Sequence, residues 1–363
     1  MALPPLLRTR RYAQREITSR TGAGGVGLTP VFDDQFTTDD AAAISSPRTC
    51  EPGPGTFTIT GSDQAIASRL VTCPSNVANQ GFLSGSAYAL SAGRAMVVKN
   101  FQLTGAPSAT GLAWGFVGTA ALSLTLRAGF YLNNTGLYCN SDNQAGGLVA
   151  AQPTASVDYD YAVVERATGH FLLYKLSSAS QWTLLHVNDT STTTPLYPSM
   201  RYTSCPLQFG RWRVFDSWSI PRSYYSASGV IGTVSSGSAD FVAKMRCTGT
   251  DTQSLIFRRQ DADNYWSAER AATTFRLFEV VATVATQRAS SAITAQTNER
   301  IEVMAEGSTI RLLRYRSDGS TVVVPTAYAS ATNFQTATGM AVLDEANYSE
   351  LEVFPRFVSG VAA

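Results

Sequence analysis

Short runs of alternating apolar and polar residues fill the chain from Val31 onward. Runs rich in Val, Ile, Thr, Phe and Tyr are separated by clusters of Gly, Ser, Asn and Asp. Clear examples are 56–60 (TFTIT), 95–103 (AMVVKNFQL) and 241–247 (FVAKMRC). No stretch keeps a helical period for several turns. Strands without intervening helices predict antiparallel sheets stacked as sandwiches, and therefore an all-β protein.

Two segments of the chain are nearly the same. Alignment of Tyr161 with Tyr265 also aligns, without a gap, Glu165-Arg166-Ala167 with Glu269-Arg270-Ala271, Phe171 with Phe275 and Leu173 with Leu277. Each segment predicts a β-hairpin whose second strand carries Phe and Leu on one face. We expect this face to be the core of its sandwich, since a slip of one residue would expose it.

A second similarity closes each copy. Residues 211–215 (RWRVF) resemble 350–354 (ELEVF), with Trp212 and Val214 on one face, as are Leu351 and Val353. The opposite face, with Glu350 and Glu352, is expected to be solvated. A further match, of 31–36 with 214–218, indicates that the first copy ends near Asp216. The predicted organisation is an arm over 1–30, a first sandwich over 31–216 and a second over 217–363.

Three motifs in the second copy carry a resemblance to a known family. They are Asp263-Asn264-Tyr265, Glu306-Gly307, and Gly339 followed by the strand from Leu351 to Phe354. The segment 230–355 resembles the concanavalin A-like, laminin-G-like jelly-roll domains, and 31–216 resembles them more loosely. The resemblance implies two tandem concanavalin A-like jelly-roll β-sandwiches with an extended N-terminal arm, a fold often used to bind glycans or proteins.

The first thirty residues differ from the rest in charge. Against one acidic residue, Glu16, they carry five arginines: Arg8, Arg10, Arg11, Arg15 and Arg20. We expect an arm that orders on docking to neighbouring subunits; a disordered tail is the alternative. The N-terminus lacks the order of a signal peptide, and no apolar run is long enough to span a bilayer comfortably. The expected protein is therefore soluble and made in a cytoplasm, without a membrane partner.

Overall charge and cysteine usage exclude two further classes. The net charge is +1, so no strong field predicts a nucleic-acid partner. The five cysteines lack metal-ligand spacing, which argues against a zinc site. Buried free thiols are the favoured interpretation, and pairing of Cys50 with Cys73 stays open.

Catalytic patterns are absent from the sequence. Glycosidases of this fold place carboxylates alternately on one strand, but Glu-x-Asp-x-Glu does not occur. Asp158 and Asp160 alternate at a strand entrance, where turn-forming aspartates are common. His170 and His186 are the only histidines, and no Gly-x-Ser-x-Gly accompanies them. No catalytic residue is predicted, and the protein is expected not to be an enzyme.

A cofactor is not required by any motif, although calcium is left open. Asp158, Asp160, Asp261 and Asp263 fall in loops that the hairpin alignment makes equivalent. Hard oxygen ligands at alternate positions can hold Ca²⁺. The competing interpretation is that these aspartates only form turns.

Glycan binding is easier to support, because aromatic rings can stack on sugars while nearby amides bond their hydroxyls. The candidates are Tyr131, Asn133, Asn134, Tyr138, Tyr224, Tyr225 and Trp266. Trp114, Trp182 and Trp212 are instead expected in cores.

A basic arm followed by tandem sandwiches is similar to bacteriophage virion proteins of the tail, fibre or head surface (capsid decoration). This resemblance implies a non-enzymatic structural protein that mediates particle assembly, with host-surface glycan attachment as an added role. It would be located in the virion, assembled in the host cytoplasm as a homo-oligomer, and would contact other virion proteins through the arm and host polysaccharide through the sandwiches. The alternatives are a free carbohydrate-binding, lectin-like module and, less favoured, a glycan-cleaving enzyme.

Overall fold

The structure is a computed structural model that describes residues 30–38, 44, 46–51, 53–61, 64–74, 80–88, 93–109, 111–123, 126–141, 144–150, 153–166, 169–188, 195–216, 218, 220, 223–226, 234–316, 321–328, 331–343 and 348–359. These residues form β-strands, turns and loops. No helix among them is long and apolar enough to cross a bilayer. The basic arm lies outside the described residues, except that Pro30 is the first residue of a strand rather than part of the arm.

The strands fall into two groups along the chain. The first group is β1 (Pro30–Asp34), β2 (Arg48–Thr49), β3 (Thr56–Thr60), β4 (Ala65–Ala67), β5 (Leu70–Cys73), β6 (Gln80–Ser84), β7 (Ala95–Leu103), β8 (Leu112–Val117), β9 (Ala128–Asn133), β10 (Gly136–Ser141), β11 (Gln144–Ala150), β12 (Tyr159–Arg166), β13 (Gly169–Leu176), β14 (Gln181–Asn188), β15 (Tyr197–Tyr202), β16 (Leu207–Phe209) and β17 (Arg211–Phe215).

The second group is β18 (Ser223–Ser226), β19 (Val234–Ser235), β20 (Phe241–Cys247), β21 (Gln253–Arg259), β22 (Tyr265–Arg270), β23 (Thr274–Val281), β24 (Val284–Ala292), β25 (Glu299–Glu306), β26 (Thr309–Tyr315), β27 (Thr321–Tyr328), β28 (Gly339–Leu343), β29 (Tyr348–Pro355) and β30 (Phe357–Ser359).

Each group builds a sandwich of two sheets. Sheet 1A contains β30-β14-β13-β12-β7-β16-β5-β4, with β17 also on β7 and β1 on β17; sheet 1B contains β11-β10-β9-β8-β15-β6-β3-β2. Sheets 2A and 2B have the orders β18-β29-β20-β25-β26-β27 and β19-β28-β21-β22-β23-β24. The pairings between strands are antiparallel, as in β12 with β13 and β22 with β23. The all-β, stacked-sheet fold predicted from the sequence is confirmed.

An aromatic core fills each sandwich. In the first, Tyr161 from sheet 1A meets Trp114 from sheet 1B at a ring-centroid distance of 5.0 Å. In the second, Phe241 and Phe257 meet at 5.9 Å across sheets 2A and 2B. Large aromatic side chains dominate the apolar area removed from water in such cores. The predicted burial of Trp114, Trp182 and Trp212 is confirmed, because each is at most 3% exposed.

The strand order repeats between the two sandwiches. Read outward, β1-β17-β7-β12-β13-β14 in sheet 1A corresponds to β18-β29-β20-β25-β26-β27 in sheet 2A. Likewise β6-β15-β8-β9-β10-β11 in sheet 1B corresponds to β19-β28-β21-β22-β23-β24 in sheet 2B. The closing strands β17 and β29 therefore match, as the sequence similarity predicted. The predicted sandwich boundary near residue 216 stays a prediction.

The hairpin alignment, in contrast, is wrong. The counterpart of β12–β13 is β25–β26, while the similar-looking β22–β23 corresponds to β9–β10. Alternating apolar residues around a polar turn recur in many antiparallel hairpins. Such local similarity therefore does not identify the position of a hairpin in the sheet.

The face that carries Phe171 and Leu173 is also corrected. Both side chains are buried, but they lie on the outer face of sheet 1A and pack against the second sandwich. The rings of Phe171 and Phe354 are 5.3 Å apart there. Phe275 and Leu277, in contrast, lie in the core of the second sandwich. The alternation was correctly predicted, but its burial partner was not.

Buried charges line the same interface. Arg166 Nη2 lies 2.5 Å from Glu352 Oε1, with side chains only 6% and 9% exposed. Nearby, the Tyr315 hydroxyl lies 2.9 Å from His186 Nδ1 and donates to Glu302 Oε2 at 3.2 Å. The expected solvated face at Glu350 and Glu352 is therefore wrong for Glu352, because the first sandwich covers it.

The last described strand, β30, returns to the first sandwich. It pairs with β14 in sheet 1A, and the Leu184 amide donates to the Arg356 carbonyl at 2.8 Å. The second sandwich thus supplies an edge strand to the first. Together with the apolar interface, the pairing of β30 with β14 connects the two sandwiches.

Four thiols are buried and form no disulfide in the described residues. They are Cys50, Cys73, Cys205 and Cys247, and Cys50 is not bonded to Cys73. Burial raises the pKa of Cys50 and of Cys205 to about 12 and that of Cys247 to about 11. These three thiols are therefore protonated and unreactive at neutral pH.

Candidate functional site

The hairpin β9–β10 brings together four of the sequence-predicted glycan candidates. Its strands pair from Asn133 with Gly136 to Ser141 with Ala128, so Asn134 and Thr135 form the turn. Asn133 Oδ1 accepts hydrogen bonds from the Thr135 amide at 2.8 Å and from the Thr135 hydroxyl at 2.6 Å. An Asn side chain that bonds the backbone two residues on stabilises a tight turn. The sequence therefore fixes this tip locally.

Tyr131 and Tyr138 form a pair on the outer face of sheet 1B. They lie directly opposite each other, with ring centroids 6.2 Å apart and planes at 50°. The Tyr131 hydroxyl donates to the Ala109 carbonyl at 3.2 Å, and the Tyr138 hydroxyl lies 2.6 Å from Thr135 Oγ1. Both rings are therefore held in place at partly exposed positions. We call Tyr131 and Tyr138 the tyrosine pair.

The sheet beside the tyrosine pair supports it with apolar and small residues. Tyr131 packs against an outer-face cluster of Leu83, Ala113, Val117 and Leu126. On the adjacent row of the same face, Gly115 lies opposite Gly129, and both glycines are buried, with the Leu126 side chain close to Gly129. This part of the sheet is therefore covered, and the exposed side of the tyrosine pair is the one toward the turn at Asn134 and Thr135.

Arg201 adds a positive charge to the same face. Arg201 of β15 lies opposite Ala113 of β8, and Ala113 in turn lies opposite Tyr131 of β9. Two strand spacings of about 4.8 Å separate Arg201 from Tyr131. Sequence reasoning missed Arg201 and Thr135, although the alternation of Arg201 with the core residues Met200 and Tyr202 would have placed the arginine on this face once sheet 1B was known.

This arrangement can bind a ligand with both an apolar and a polar side. Ring faces pack against the C–H surfaces of a sugar, while hydroxyl groups accept or donate hydrogen bonds at the edge and the guanidinium group donates them. Burial raises the pKa of the Tyr131 phenol, which therefore stays protonated at neutral pH. Asn134, at the tip, is exposed, whereas the Asn133 oxygen is engaged in the turn. Asn133 thus positions the turn instead of presenting its oxygen to a ligand.

The remaining aromatic candidates do not join this site. Trp266 is fully buried in the second core, where its indole N–H donates to the Asn333 carbonyl at 3.0 Å. Trp266 cannot stack on a ligand from solvent, and its prediction as a glycan-binding residue is wrong. Tyr224 and Tyr225 lie on β18 and pair with Glu352 and Leu351 of β29. Their side chains lie outside the described residues, so their assignment stays a prediction.

The candidate metal aspartates are separate and mostly engaged. Asp160 is fully buried and lies 3.2 Å from Lys175 Nζ, while Asp158 accepts from Gln102 at 3.1 Å. Asp261 accepts from the Asp263 amide at 2.8 Å, as a turn-forming aspartate does. Asp158 and Asp261 precede β12 and β22, which are not counterparts, so these loops are not equivalent. No group of three or more metal-ligating side chains exists in the described part of the chain.

Both histidines are buried structural groups. His170 and His186 are each 2% exposed, and burial, with a smaller effect of Arg166, lowers the pKa of His170 to about 3. A base in a catalytic site must reach the substrate proton directly or through one water. Neither buried imidazole can reach a substrate that is bound on the exposed face that carries the tyrosine pair.

Comparisons with known proteins give no family. No protein-family model matches the chain, and no curated protein matches its sequence. Similar solved structures include the carbohydrate binding module CBM66 from Bacillus subtilis, with a TM-score of 0.25 and 18% identity over 38% of this chain and 81% of that chain.

Two further solved structures are similar at comparable levels. The exoplasmic/lumenal domain of VIP36, in its Ca²⁺/Man3GlcNAc-bound form, has a TM-score of 0.36 and 11% identity over 45% of this chain and 84% of that one. A GH54 α-L-arabinofuranosidase soaked with a cyclic sulfate inhibitor has a TM-score of 0.31 and 12% identity over 86% of this chain and 69% of that one. At these TM-scores the similarities carry no argument about the site or the function.

Proposed function

We propose that the protein binds a glycan through the tyrosine pair on the outer face of sheet 1B, without catalysing a reaction on it. The observation that carries this proposal is the fixed pair of partly exposed rings, 6.2 Å apart, next to the exposed turn at Asn134 and Thr135. Rigid aromatic side chains supply contact area at low entropic cost. Polar groups at the edge, Asn134 and Arg201, would then select the sugar by its hydroxyls.

The tyrosine pair gives a direct binding test. A glycan array identifies the ligand, and calorimetric titration then compares the wild type with Tyr131→Ala and Tyr138→Ala. We expect each variant to lose about tenfold or more in affinity, as aromatic anchors commonly do. The matched control is Tyr265→Ala, a partly exposed tyrosine on β22, the counterpart of β9. Unchanged affinity in both tyrosine-pair variants, or an equal loss in the control, contradicts the proposal.

The turn offers a finer test of preorganisation. Thr135→Val removes the hydroxyl that contacts both Asn133 Oδ1 and the Tyr138 hydroxyl. The rings remain, so we expect a loss of only a fewfold, smaller than for removal of either ring. A loss as large as that of Tyr138→Ala would mean that the turn itself binds the sugar.

The proposed location is a phage particle, as a tail, fibre or head-surface component. Two features support it: the arginine-rich segment 1–30 ahead of the first sandwich, and the joining of the two sandwiches by a buried interface and by β30. The arm would dock on other virion proteins and the rigid pair of sandwiches would face outward. The test is deletion of residues 1–29. We expect loss of incorporation into particles with glycan binding preserved; unchanged incorporation contradicts docking through the arm.

The absence of catalysis is likewise a proposal. It is supported by the burial of both histidines and by the pairing of the Asp160 carboxylate with Lys175. Incubation of the wild type with each glycan identified on the array should release no new reducing ends. Asp158 is the exposed one of the two aspartates Asp158 and Asp160. If new reducing ends appear with the wild type and are lost in Asp158→Asn, the protein would be assigned to the glycosidases.

A further inference from the structure

A surface cavity opens on sheet 1A where β16 gives way to β17. Its volume is ≈ 330 Å³, and its lining includes Gln35, Ser68, Arg69, Lys99, Asn100 and Arg211. Gly210 forms the break between the two strands, and its amide donates to the Lys99 carbonyl at 2.9 Å. The volume is at the lower end for small-molecule sites, which suits a single sugar or a small ion. This cavity is on the opposite sheet from the tyrosine pair.

Positive charge dominates the lining. Lys99 and Arg211 lie directly opposite each other on adjacent strands, and like charges in that position destabilise a sheet. Asp33 binds Arg211 in bidentate fashion, at 2.8 Å and 2.7 Å. Within the described residues no carboxylate forms an ion pair with Lys99 or with Arg69. The cavity therefore contains more cationic than anionic groups.

At the corresponding position of the second sandwich, the two facing residues carry opposite charges. In the matched strands β20 and β29, Arg246 lies opposite Glu350, and the two form an ion pair at 2.8 Å. The closing strands differ in this respect along their whole outer face, with arginines in RWRVF and glutamates in ELEVF. An ion pair between these two strands is thus available to this fold, whereas Arg211 stands opposite Lys99 at the corresponding position of the first sandwich.

Three lining residues have backbone conformations that side chains other than Gly rarely adopt. The φ angles are 53° at Ser68, 65° at Arg69 and 52° at Asn100. The first two form the β4–β5 turn, and the Asn100 amide is held by Asp160 Oδ1 at 3.0 Å. Positive φ at both central residues is ordinary in a two-residue hairpin turn, so of these three residues Asn100 is the one held in an unusual conformation.

We propose that this cavity binds a small anionic oxygen group, a carboxylate, sulfate or phosphate, with Lys99 and Arg69 as its principal cationic contacts. Arg211, oriented by Asp33, adds a planar guanidinium that suits such groups. Asn100 and Ser68 supply polar contacts at the rim. The bound anion would offset the like-charge repulsion between Lys99 and Arg211. This site is independent of the glycan surface on sheet 1B.

The test uses the full chain and two anions of different origin. Calorimetric titration at low ionic strength compares glucuronate and inorganic phosphate with neutral glucose. We expect anion binding that weakens with added salt, and a loss of at least about tenfold in Lys99→Gln. Tighter binding of glucuronate would assign the site to acidic saccharides, and tighter binding of phosphate to phosphate groups. Equal binding of glucose, or no anion binding, overturns the proposal.

Matched variants separate binding from folding. Arg246→Gln removes the equivalent charge in the second sandwich and should leave anion affinity unchanged. Arg69→Gln alters an exposed residue of the cavity rim, so it tests the site without a risk to the core. Unchanged affinity in both Lys99→Gln and Arg69→Gln contradicts the site. Tyr131→Ala should retain anion binding, so failure of the glycan proposal and failure of this one are distinguishable.

A pH series adds a readout that a purely structural lysine would not change. Burial lowers the pKa of Lys99 from 10.5; Asp160 counteracts this, while Lys175, Arg211 and Arg213 add to it. Wild-type affinity should therefore fall as alkaline pH approaches this lowered pKa. Lys99→Arg keeps its charge and should retain affinity there. An identical pH profile for the two proteins contradicts the role of Lys99.

Discussion

The outer faces of sheets 1A and 2A are built from corresponding strands, yet they differ in chemistry. Sheet 1A presents an apolar surface made of Ala95, Val97, Ala162, Val164, Phe171, Leu173, Trp182, Leu184, Val187 and Phe215. Sheet 2A meets it with three apolar side chains, Val242, Met304 and Phe354, and with the buried charged residues Lys244, Glu302 and Glu352. One strand order thus supports a mainly apolar cluster in one sandwich and a mixed apolar and charged face in the other.

The difference shows that burial and location are separate properties of a strand. Inner faces must be apolar in both copies, because they fill the space between two sheets. Outer faces are free to differ, and here they differ so as to fit each other. An apolar stripe such as Phe171 and Leu173 marks a surface that something covers. It does not say whether the facing sheet or another sandwich does so.

Removal of an aromatic ring at the interface should have the largest effect. Phe171→Ala removes a ring that packs against Phe354 at 5.3 Å. We expect a loss of about 3–5 kcal/mol in the free energy of unfolding, as for a core phenylalanine. Denaturant unfolding measures it. The control is Phe278→Ala, on the partly exposed outer face of sheet 2B, with a much smaller loss expected. Similar small losses for both would mean that the interface contributes little.

A charge removed from the ionic side should cost slightly less. Arg166→Ala removes a cationic partner of the buried Glu352, and we expect a loss of about 3 kcal/mol. The double variant Arg166→Met with Glu352→Leu should recover much of that loss, because apolar side chains of similar volume fit such positions. A double-mutant cycle in chemical denaturation gives the coupling. A double variant less stable than Arg166→Ala would refute this account of the pair.

The pH dependence of stability tests His170, a buried group of the first sandwich. The folded pKa of His170 is about 3, against an ordinary value of 6.5, because of burial first and Arg166 second. The contribution of His170 is therefore constant above pH 6.5. Below it, the unfolded chain binds a proton that the folded chain does not, and stability falls by up to about 1.4 kcal/mol per pH unit down to pH 3.

Other groups titrate in the same range, so the measurement is a difference. Unfolding free energies of the wild type and of His170→Asn are compared between neutral and acidic pH. The difference in unfolding free energy between the two proteins should change by up to about 1.4 kcal/mol per pH unit below pH 6.5. Parallel curves below pH 6.5 would show that this imidazole is protonated in the folded protein.

An exposed ion pair should have the smallest effect. Arg276 and Glu269 pair on the outer face of sheet 2B, where their side chains are 33% and 20% exposed. We expect Arg276→Ala to cost less than about 1 kcal/mol, because water already solvates much of both groups. Chemical denaturation checks the value. A loss equal to that of Arg166→Ala would erase the distinction between covered and exposed ion pairs.

Local patterns in the sequence predicted much of the fold. Alternation identified the strands, and RWRVF with ELEVF correctly matched β17 with β29, because an inner face of two apolar residues and the same final phenylalanine recur in both. The hairpin similarity failed because Tyr161 and Tyr265 lie on hairpins at different positions in their sheets. Strand position depends on long-range pairing, and a local pattern carries no record of it.

The candidate site was predictable only in part. Tyr131, Asn133, Asn134 and Tyr138 are neighbours in sequence, so a single hairpin could bring them together. The sequence alone did not distinguish Trp266 from an exposed aromatic residue, but its side chain is buried in the core of the second sandwich. The cavity at Lys99 was missed altogether, because β4–β5, β7 and the start of β17 come together there only after the sheet has formed.

The pairing of β30 with β14 has a consequence for biosynthesis. Sheet 1A is complete only when residues 357–359 have left the ribosome, long after the rest of the first sandwich has emerged. Until then β14 presents an open edge, which is a template for wrong association between nascent chains. Completion of the first sandwich is thereby postponed until the second has been synthesised, and the two mature as one unit.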